Sequence, residues 1–224
     1  MTYSICMTDG TRHGIAIATK APAVGGLAPF LSPNGVVCTQ SIVNVPLGPK
    51  ATRLLDGEAS IDDAIPTLLR KDDNASLRQI HGVDTWGNTS TFSGDECVDW
   101  FGSQTGSAGQ TTYTVAGNML EGEHVIEAVA TEFASAVDSS KSLPECLLHA
   151  LQAGEDAGGD KRAGTAQSAA LKIYDPEDPR LAHDLRVDDH EDPVPELQRV
   201  YESACEDDKA WEDEFPEAIL QRTL

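Results

Sequence analysis

Two short apolar runs at the start of the chain constrain the fold more than any other feature. Tyr3 to Met7 and Gly14 to Thr19 are separated by Thr8-Asp9-Gly10-Thr11-Arg12, and Asp-Gly supplies the positive φ that a tight turn between antiparallel strands requires. The chain is therefore predicted to open with a hairpin whose first strand begins at residue 2 or 3. Pro22 to Pro33 then reads as a Pro/Gly-rich loop, and Gly35 to Gln40 as a third strand, apolar enough to be covered on both faces.

Helical spacing of Ile61, Ala64, Ile65, Leu68 and Leu69 behind Ser60 predicts a helix over residues 60–71, capped by Ser60. Leu77 to Val83 and Thr89 to Phe92 form a second predicted hairpin with Gly87 and Asn88 in its turn, and Thr111 to Ala116 a further strand. Two helices are expected over Glu123 to Val137 and, after Ser142 as N-cap, Leu143 to Gln152, with Gly154 and Gly158-Gly159 ending them. Ala166 to Tyr174 is a late strand and Glu196 to Ala204 a short helix. Strands, then helices, then a strand again point to a layered α+β fold rather than alternating βαβ units. At 224 residues one domain is the expectation.

Charge narrows the partners. With 37 Asp plus Glu against 16 Lys plus Arg, the net charge is −21, which repels nucleic acid and anionic membranes. The acids are spread along the chain, the pattern of a salt-adapted surface, so salt is expected to raise stability by screening self-repulsion. The competing reading is an acidic tail around Glu206 to Glu217 for a cationic partner. No leader-like segment opens the chain and no apolar run reaches the roughly 20 residues needed to cross a bilayer, so a cytoplasmic protein is expected. Five widely spaced cysteines without a CxxC pair indicate neither a disulfide framework nor a zinc knuckle.

Several segments together carry a family resemblance: Thr2-Tyr3-Ser4-Ile5, Gly14 to Lys20 with Ala23-Val24-Gly25, and Cys38-Thr39-Gln40 with Asn44 and Gly48-Pro49. Phe92 to Cys97 with Trp100, Gly117 to Leu120, Ala157 to Asp160 with Arg162, Gln167 to Ala170, and Asp184 to His190 with Asp192-Pro193 complete the set. The chain resembles an uncharacterised Ntn-hydrolase-like (N-terminal nucleophile) family, domain of unknown function 1028, in a halophilic, archaeal-type form. Leu47 stands where that family often has Tyr, and the tail beyond Tyr201 has no counterpart. The resemblance implies an α+β, four-layer αββα sandwich over residues 1–201, followed by an acidic extension over 202–224.

It also implies a chemistry. In such hydrolases the first residue of the mature chain attacks an amide carbonyl, and its own α-amine, with a pKa of about 8, is the base. Thr2, freed by removal of Met1, is the candidate nucleophile. Lys20 at the end of the second strand would lower the amine pKa, with Asp9 as its possible orienter, and Asn44 and Asn118 would donate to the oxyanion. Asp160 and Arg162, ahead of Gln167 and Ser168, would bind a substrate carboxylate. The implied partner is a small-molecule amide, a peptide or an acylated amine.

No cofactor is required by that chemistry. Asp188, Asp189 and His190, with Asp184 and Asp192 close by, nevertheless offer ligands for a divalent cation, although their spacing matches no defined loop. A non-catalytic member using the same fold as a binding or assembly module, holding a metal or ligand near His190, is the alternative. A self-associating homo-oligomer is a third reading, with no specific residue behind it.

Overall fold

A computed structural model describes residues 1–160, 162, 165–177 and 183–214. The opening hairpin pairs β1 (Thr2–Thr8) with β2 (His13–Thr19), placing Thr2 opposite Thr19. Asp9 closes its turn by accepting the Thr11 and Arg12 N–H groups at 3.1 and 2.8 Å, and Gly10 adopts φ +94°, a conformation that favours glycine. Then follow β3 (Pro29–Ser32), β4 (Gly35–Ser41), α1 (Leu47–Asp56), α2 (Ile61–Leu69), β5 (Arg78–Asp84), β6 (Thr89–Ser93), β7 (Gly102–Ala108) and β8 (Thr111–Asn118). The chain continues through α3 (Glu123–Asp138), α4 (Leu143–Asp156), β9 (Ser168–Tyr174), β10 (Asp184–Val187) and α5 (Pro193–Glu214). These strands form two antiparallel sheets, a six-stranded one ordered β10-β9-β2-β1-β8-β7 and a four-stranded one ordered β3-β4-β5-β6. The architecture is α+β, as predicted.

Alternation along β1 decides which residues meet which neighbours. Tyr3, Ile5 and Met7 point into an apolar cluster with Val125, Val129 and Phe133 of α3 and Leu147 and Leu151 of α4. Cys6, on the other face, packs with Ile15 and Ile17 of β2 and with Val36, Cys38 and Val83 of the four-stranded sheet. A third cluster joins Val37 and Ile80 to Leu55 of α1 and Ile65 of α2. Both central strands of the hairpin are therefore buried on both faces, and any polar side chain on them must find a partner inside the protein.

Several boundaries differ from expectation for identifiable reasons. The Pro22 to Pro33 loop contains β3, so Gly35 to Gln40 is the fourth strand rather than the third. Helix α1 was hidden by Gly48-Pro49: Pro49 falls in the first turn, where no N–H is needed. At Gly48, a Cβ would lie 2.0 Å from Phe30 Cδ2, so the ring occupies the space a side chain would need. Gly154 does not end α4 but lies inside it, against Tyr3 and Val129. The predicted caps hold: Ser60 Oγ accepts from the Asp63 N–H at 3.3 Å, and Ser142 forms a capping box with Glu145.

The expected division at residue 201 falls within α5, whose Val200 and Tyr201 pack on the larger core and whose Asp208 is buried. The last ten residues of the expected extension lie outside the described residues. Cys6, Cys38, Cys97 and Cys146 are buried and free, with Cys205 half-buried. Among the described residues no helix is long and apolar enough to cross a membrane.

Candidate functional site

Where β1, β2, β4 and β8 come together, a cavity of about 220 Å³ opens, lined by Thr2, Thr19, Lys20, Gln40, Ser41, Asn118, Met119 and Arg162 among others. Strand register accounts for much of this. Thr2 is paired with Thr19 on one side and with Asn118 on the other, so three polar side chains share one face, and Lys20 follows Thr19 directly. Thr2 Oγ1 lies 3.0 Å from Thr19 Oγ1, which donates a short hydrogen bond to the Met1 carbonyl. Since that uses the Thr19 proton, the Thr2 hydroxyl is the donor between the two.

Behind the cavity the same face carries a buried polar network whose directions can be derived. Gln79 Nε2 lies 2.8 Å from the Gly117 carbonyl and 3.2 Å from that of Gly102. Carbonyls only accept, so Gln79 Oε1 is left to accept from Gln40 Nε2 at 2.7 Å and Asn118 Nδ2 at 3.0 Å. Gln40 Oε1 in turn accepts from Ser4 Oγ at 2.8 Å. Ser4, its proton committed, accepts from His81 Nε2 at 2.7 Å, and His81 Nδ1 accepts from Thr114 Oγ1 at 2.8 Å. Burial holds His81 neutral, its pKa lowered to about 3, which is consistent with a single ring proton on Nε2. Asn118, tied by one N–H to Gln79, is also among the residues that line the cavity.

Backbone strain gathers at the same place. Among the described residues five non-glycine residues have positive φ, and two of them, Ser41 at +71° and Met119 at +55°, line the cavity. A third, Ala23 at +59°, lies between lining residues Pro22 and Val24. Each such conformation costs on the order of 1 kcal/mol, and Ser41 and Met119 follow Gln40 and Asn118, the residues through which the polar network reaches the cavity.

The Met1 ammonium is buried, 3.2 Å from Met119 Sδ and 3.7 Å from Asp160 Oδ2. Asp160 also takes a two-pronged ion pair from Arg162 Nε and Nη2 at 2.9 and 2.5 Å. Burial opposes the Asp160 charge, but hydrogen bonds from Arg162, together with the terminal ammonium, outweigh it and lower its pKa. The Arg162 guanidinium is half-exposed at the cavity.

Not every predicted site residue reaches this cavity. Asn44 lies in a different depression, where its Nδ2 donates to Asp72 Oδ2 at 2.8 Å beside the buried Asp72–Arg78 pair, so it is not beside Thr2 as an oxyanion donor. Ser168 supports the wall instead of lining it: its Oγ donates to the Ala21 carbonyl at 2.6 Å and accepts from the Val24 N–H at 3.1 Å. Gln167 is held by a 2.7 Å backbone bond to the Thr19 carbonyl, and its amide donates to Asp189. Asp9, at the far end of the hairpin from Lys20, pairs with Arg12.

The expected metal cluster does not converge. Asp188 is bound to Arg186, Asp189 to Gln167, and His190 Nδ1 accepts the Asp192 N–H at 3.0 Å. Among the described residues no three His, Cys, Asp or Glu side chains are placed to share an ion. What the sequence reading missed is Gln40, Gln79 and His81. The signal was the alternation Gln79-x-His81-x-Val83 with apolar Ile80 between; in a strand covered on both faces such polar residues are inward groups bonded to one another.

These features define a class: an α+β protein with two antiparallel sheets, a threonine at residue 2 lining a cavity, and a buried amide network behind it. The chain belongs to DUF1028, a family of unknown function whose model matches residues 2–197. It is similar to the crystal structure of a DUF1028 protein from Silicibacter pomeroyi, at 30% identity over 91% of this chain and 88% of that one, with a TM-score of 0.80. No curated protein matches the chain.

Proposed function

We propose that the chain is an N-terminal-nucleophile amide hydrolase with the four-layer αββα sandwich of the Ntn type, acting on a small amide, peptide or acylated amine. The observation that carries this reading is the placement of Thr2 Oγ1 in a cavity between Thr19 and the Asn118 strand, with Lys20 at its edge. Removal of Met1 takes away the carbonyl to which Thr19 donates and leaves an α-amine on the residue that bears the hydroxyl. That amine accepts the hydroxyl proton as Thr2 Oγ1 attacks the carbonyl carbon. The positive charge of Lys20 disfavours the ammonium form and so holds more of the amine as the free base that can accept the hydroxyl proton.

The second Asn118 N–H donates to the oxyanion, an interaction of about 3 kcal/mol in comparable sites, and Gln79 fixes the direction of that amide. The test is hydrolysis of a panel of simple amides by the chain beginning at Thr2, against Thr2→Ala and a form with Met1 retained. Loss of activity in both controls supports the reading, and equal activity in all three refutes it. The dispersed acids belong, on this proposal, to a salt-adapted cytoplasmic protein; a melting temperature that fails to rise with KCl would refute the salt adaptation.

A second reading has one specific observation behind it. Met1 is 6% exposed and its ammonium is ion-paired to Asp160, the arrangement of a terminus that is kept. A retained Met1 leaves no free amine on Thr2, and the cavity is then a binding site without chemistry.

A further inference from the structure

We propose that this cavity is built for amides that join a short apolar chain to a carboxylate, the chemistry of an N-acylated amino acid. The proposal rests on the hydrolase reading for its chemistry but on separate observations for its specificity. The chain has 37 acidic against 16 basic side chains, yet among the described lining residues the charged side chains are Lys20 and Arg162, with no Asp or Glu. The acid that belongs to this neighbourhood, Asp160, is withdrawn behind Arg162 with a side chain at 0% exposure.

Asp160 also fixes the guanidinium. It binds Nε and Nη2, holding the plane still and leaving Nη1 outside the pair. A cation so fixed loses little freedom on meeting a carboxylate.

The apolar half is equally marked. Six large hydrophobic residues are exposed among those described, and two of them, Leu27 and Val43, line this cavity, with Ile42 and Val98 attached to its lining through the backbone. Ile42 adjoins Val43, and the Val98 carbonyl accepts the Met119 N–H at 3.0 Å. Exposed apolar groups gathered at a concave site mark a place where apolar surface is covered on binding. The cavity measures about 220 Å³ with Met1 among its lining residues, and removal of Met1 adds to that space, so a short acyl chain fits and the remainder of the substrate meets the rim.

In the reaction the Thr2 Oγ1 to acyl carbon bond forms and the acyl C–N bond breaks. The hydroxyl proton passes through the α-amine to the departing amino acid nitrogen. Water then adds to the ester, releasing the carboxylic acid and returning the proton to Thr2.

Binding of a matched pair tests the specificity apart from the chemistry. The Thr2→Ala chain is titrated calorimetrically with N-hexanoylglycine and with N-hexanoylethanolamine, which differ in the carboxylate. The anionic compound is expected to bind at least about tenfold more tightly, the gain of one charge-assisted contact. Arg162→Gln is expected to reduce that ratio to within about twofold while leaving the neutral compound unchanged, and Lys20→Gln to lower it in the same direction if Arg162→Gln fails to fold. Equal affinities for the pair, no binding of either at millimolar concentration, or a ratio indifferent to both substitutions would overturn the proposal. Hydrolysis by the Thr2 chain is read separately. A binding preference without turnover refutes the hydrolase reading and keeps the proposed specificity; turnover of both compounds at equal kcat/KM does the reverse.

Discussion

His81 gives the network behind the cavity a measurable pH signature. Its ring is fully buried, and burial lowers its pKa from the ordinary 6.5 to about 3. In the unfolded chain the ring takes a proton near pH 6.5; in the folded chain it refuses one down to about pH 3. Between these values the unfolded state binds more protons, so stability rises with pH, is complete above about 6.5, and is lost as pH falls. One proton of difference corresponds to about 1.4 kcal/mol per pH unit, or about 2 kcal/mol between pH 6.5 and 5.

The perturbation is His81→Gln, which cannot titrate. It is expected to cost about 1 to 3 kcal/mol at pH 7.5, because one amide cannot serve both Ser4 and Thr114. Urea unfolding followed by tryptophan fluorescence, in constant high salt, gives stability for both chains from pH 7.5 to 5. Protonation of the many carboxylates and of His13, whose pKa burial also lowers, is common to both and drops out of the difference. The wild-type chain should lose about 2 kcal/mol more than His81→Gln across that range; parallel curves would refute the neutral, network-bound histidine.

Three further outcomes follow from particular contacts. Gly154→Ala is expected to destabilise by about 1 to 2 kcal/mol despite a helix-propensity gain of about 1, because the new Cβ would lie 2.7 Å from Tyr3 Cε2 and 2.8 Å from Val129 Cγ2; a higher melting temperature would contradict this. Arg78→Gln is expected to cost about 3 kcal/mol in urea unfolding, since hydrogen bonds from Arg78 are the main cause holding the Asp72 carboxyl at about 2. In the chain beginning at Thr2, Asn118→Ala is expected to lower kcat by about 100-fold or more with a smaller change in KM; an unchanged kcat would remove Asn118 from the oxyanion site.

The opening hairpin was legible because its pattern is local: two β-prone runs and an Asp-Gly turn set the register that places Thr2 opposite Thr19. Strand β7 was not, since Gly-Ser-Gln-Thr-Gly-Ser-Ala carries no apolar alternation and lies exposed at a sheet edge. Helix α1 and the inner position of Gly154 were obscured for a shared reason. Glycine reads as punctuation in a sequence, whereas Gly48 and Gly154 are small so that Phe30 and Tyr3 can approach.

The candidate site divided along the same line. Thr2, Lys20, Asn118 and Arg162 were named and do meet at one cavity. Gln40, Gln79 and His81 come from strands of the other sheet, and their meeting with Ser4 and Asn118 depends on how the sheets pack, which no short-range pattern encodes. The Asp188 to His190 segment made the opposite error. Its residues are dense in sequence, but each is bound to a different partner, so density did not become a site.

On the hydrolase proposal Thr2 is the first residue of the mature chain and an acylatable nucleophile. Mass spectrometry of the protein treated with a β-lactone, with the modified peptide mapped, tests this most directly because it reads the terminus and the nucleophile together. A single acyl adduct on Thr2, in a peptide whose first residue is Thr2, is the expected result. Met1 retained throughout, or an adduct absent from Thr2 in the processed chain, would contradict it.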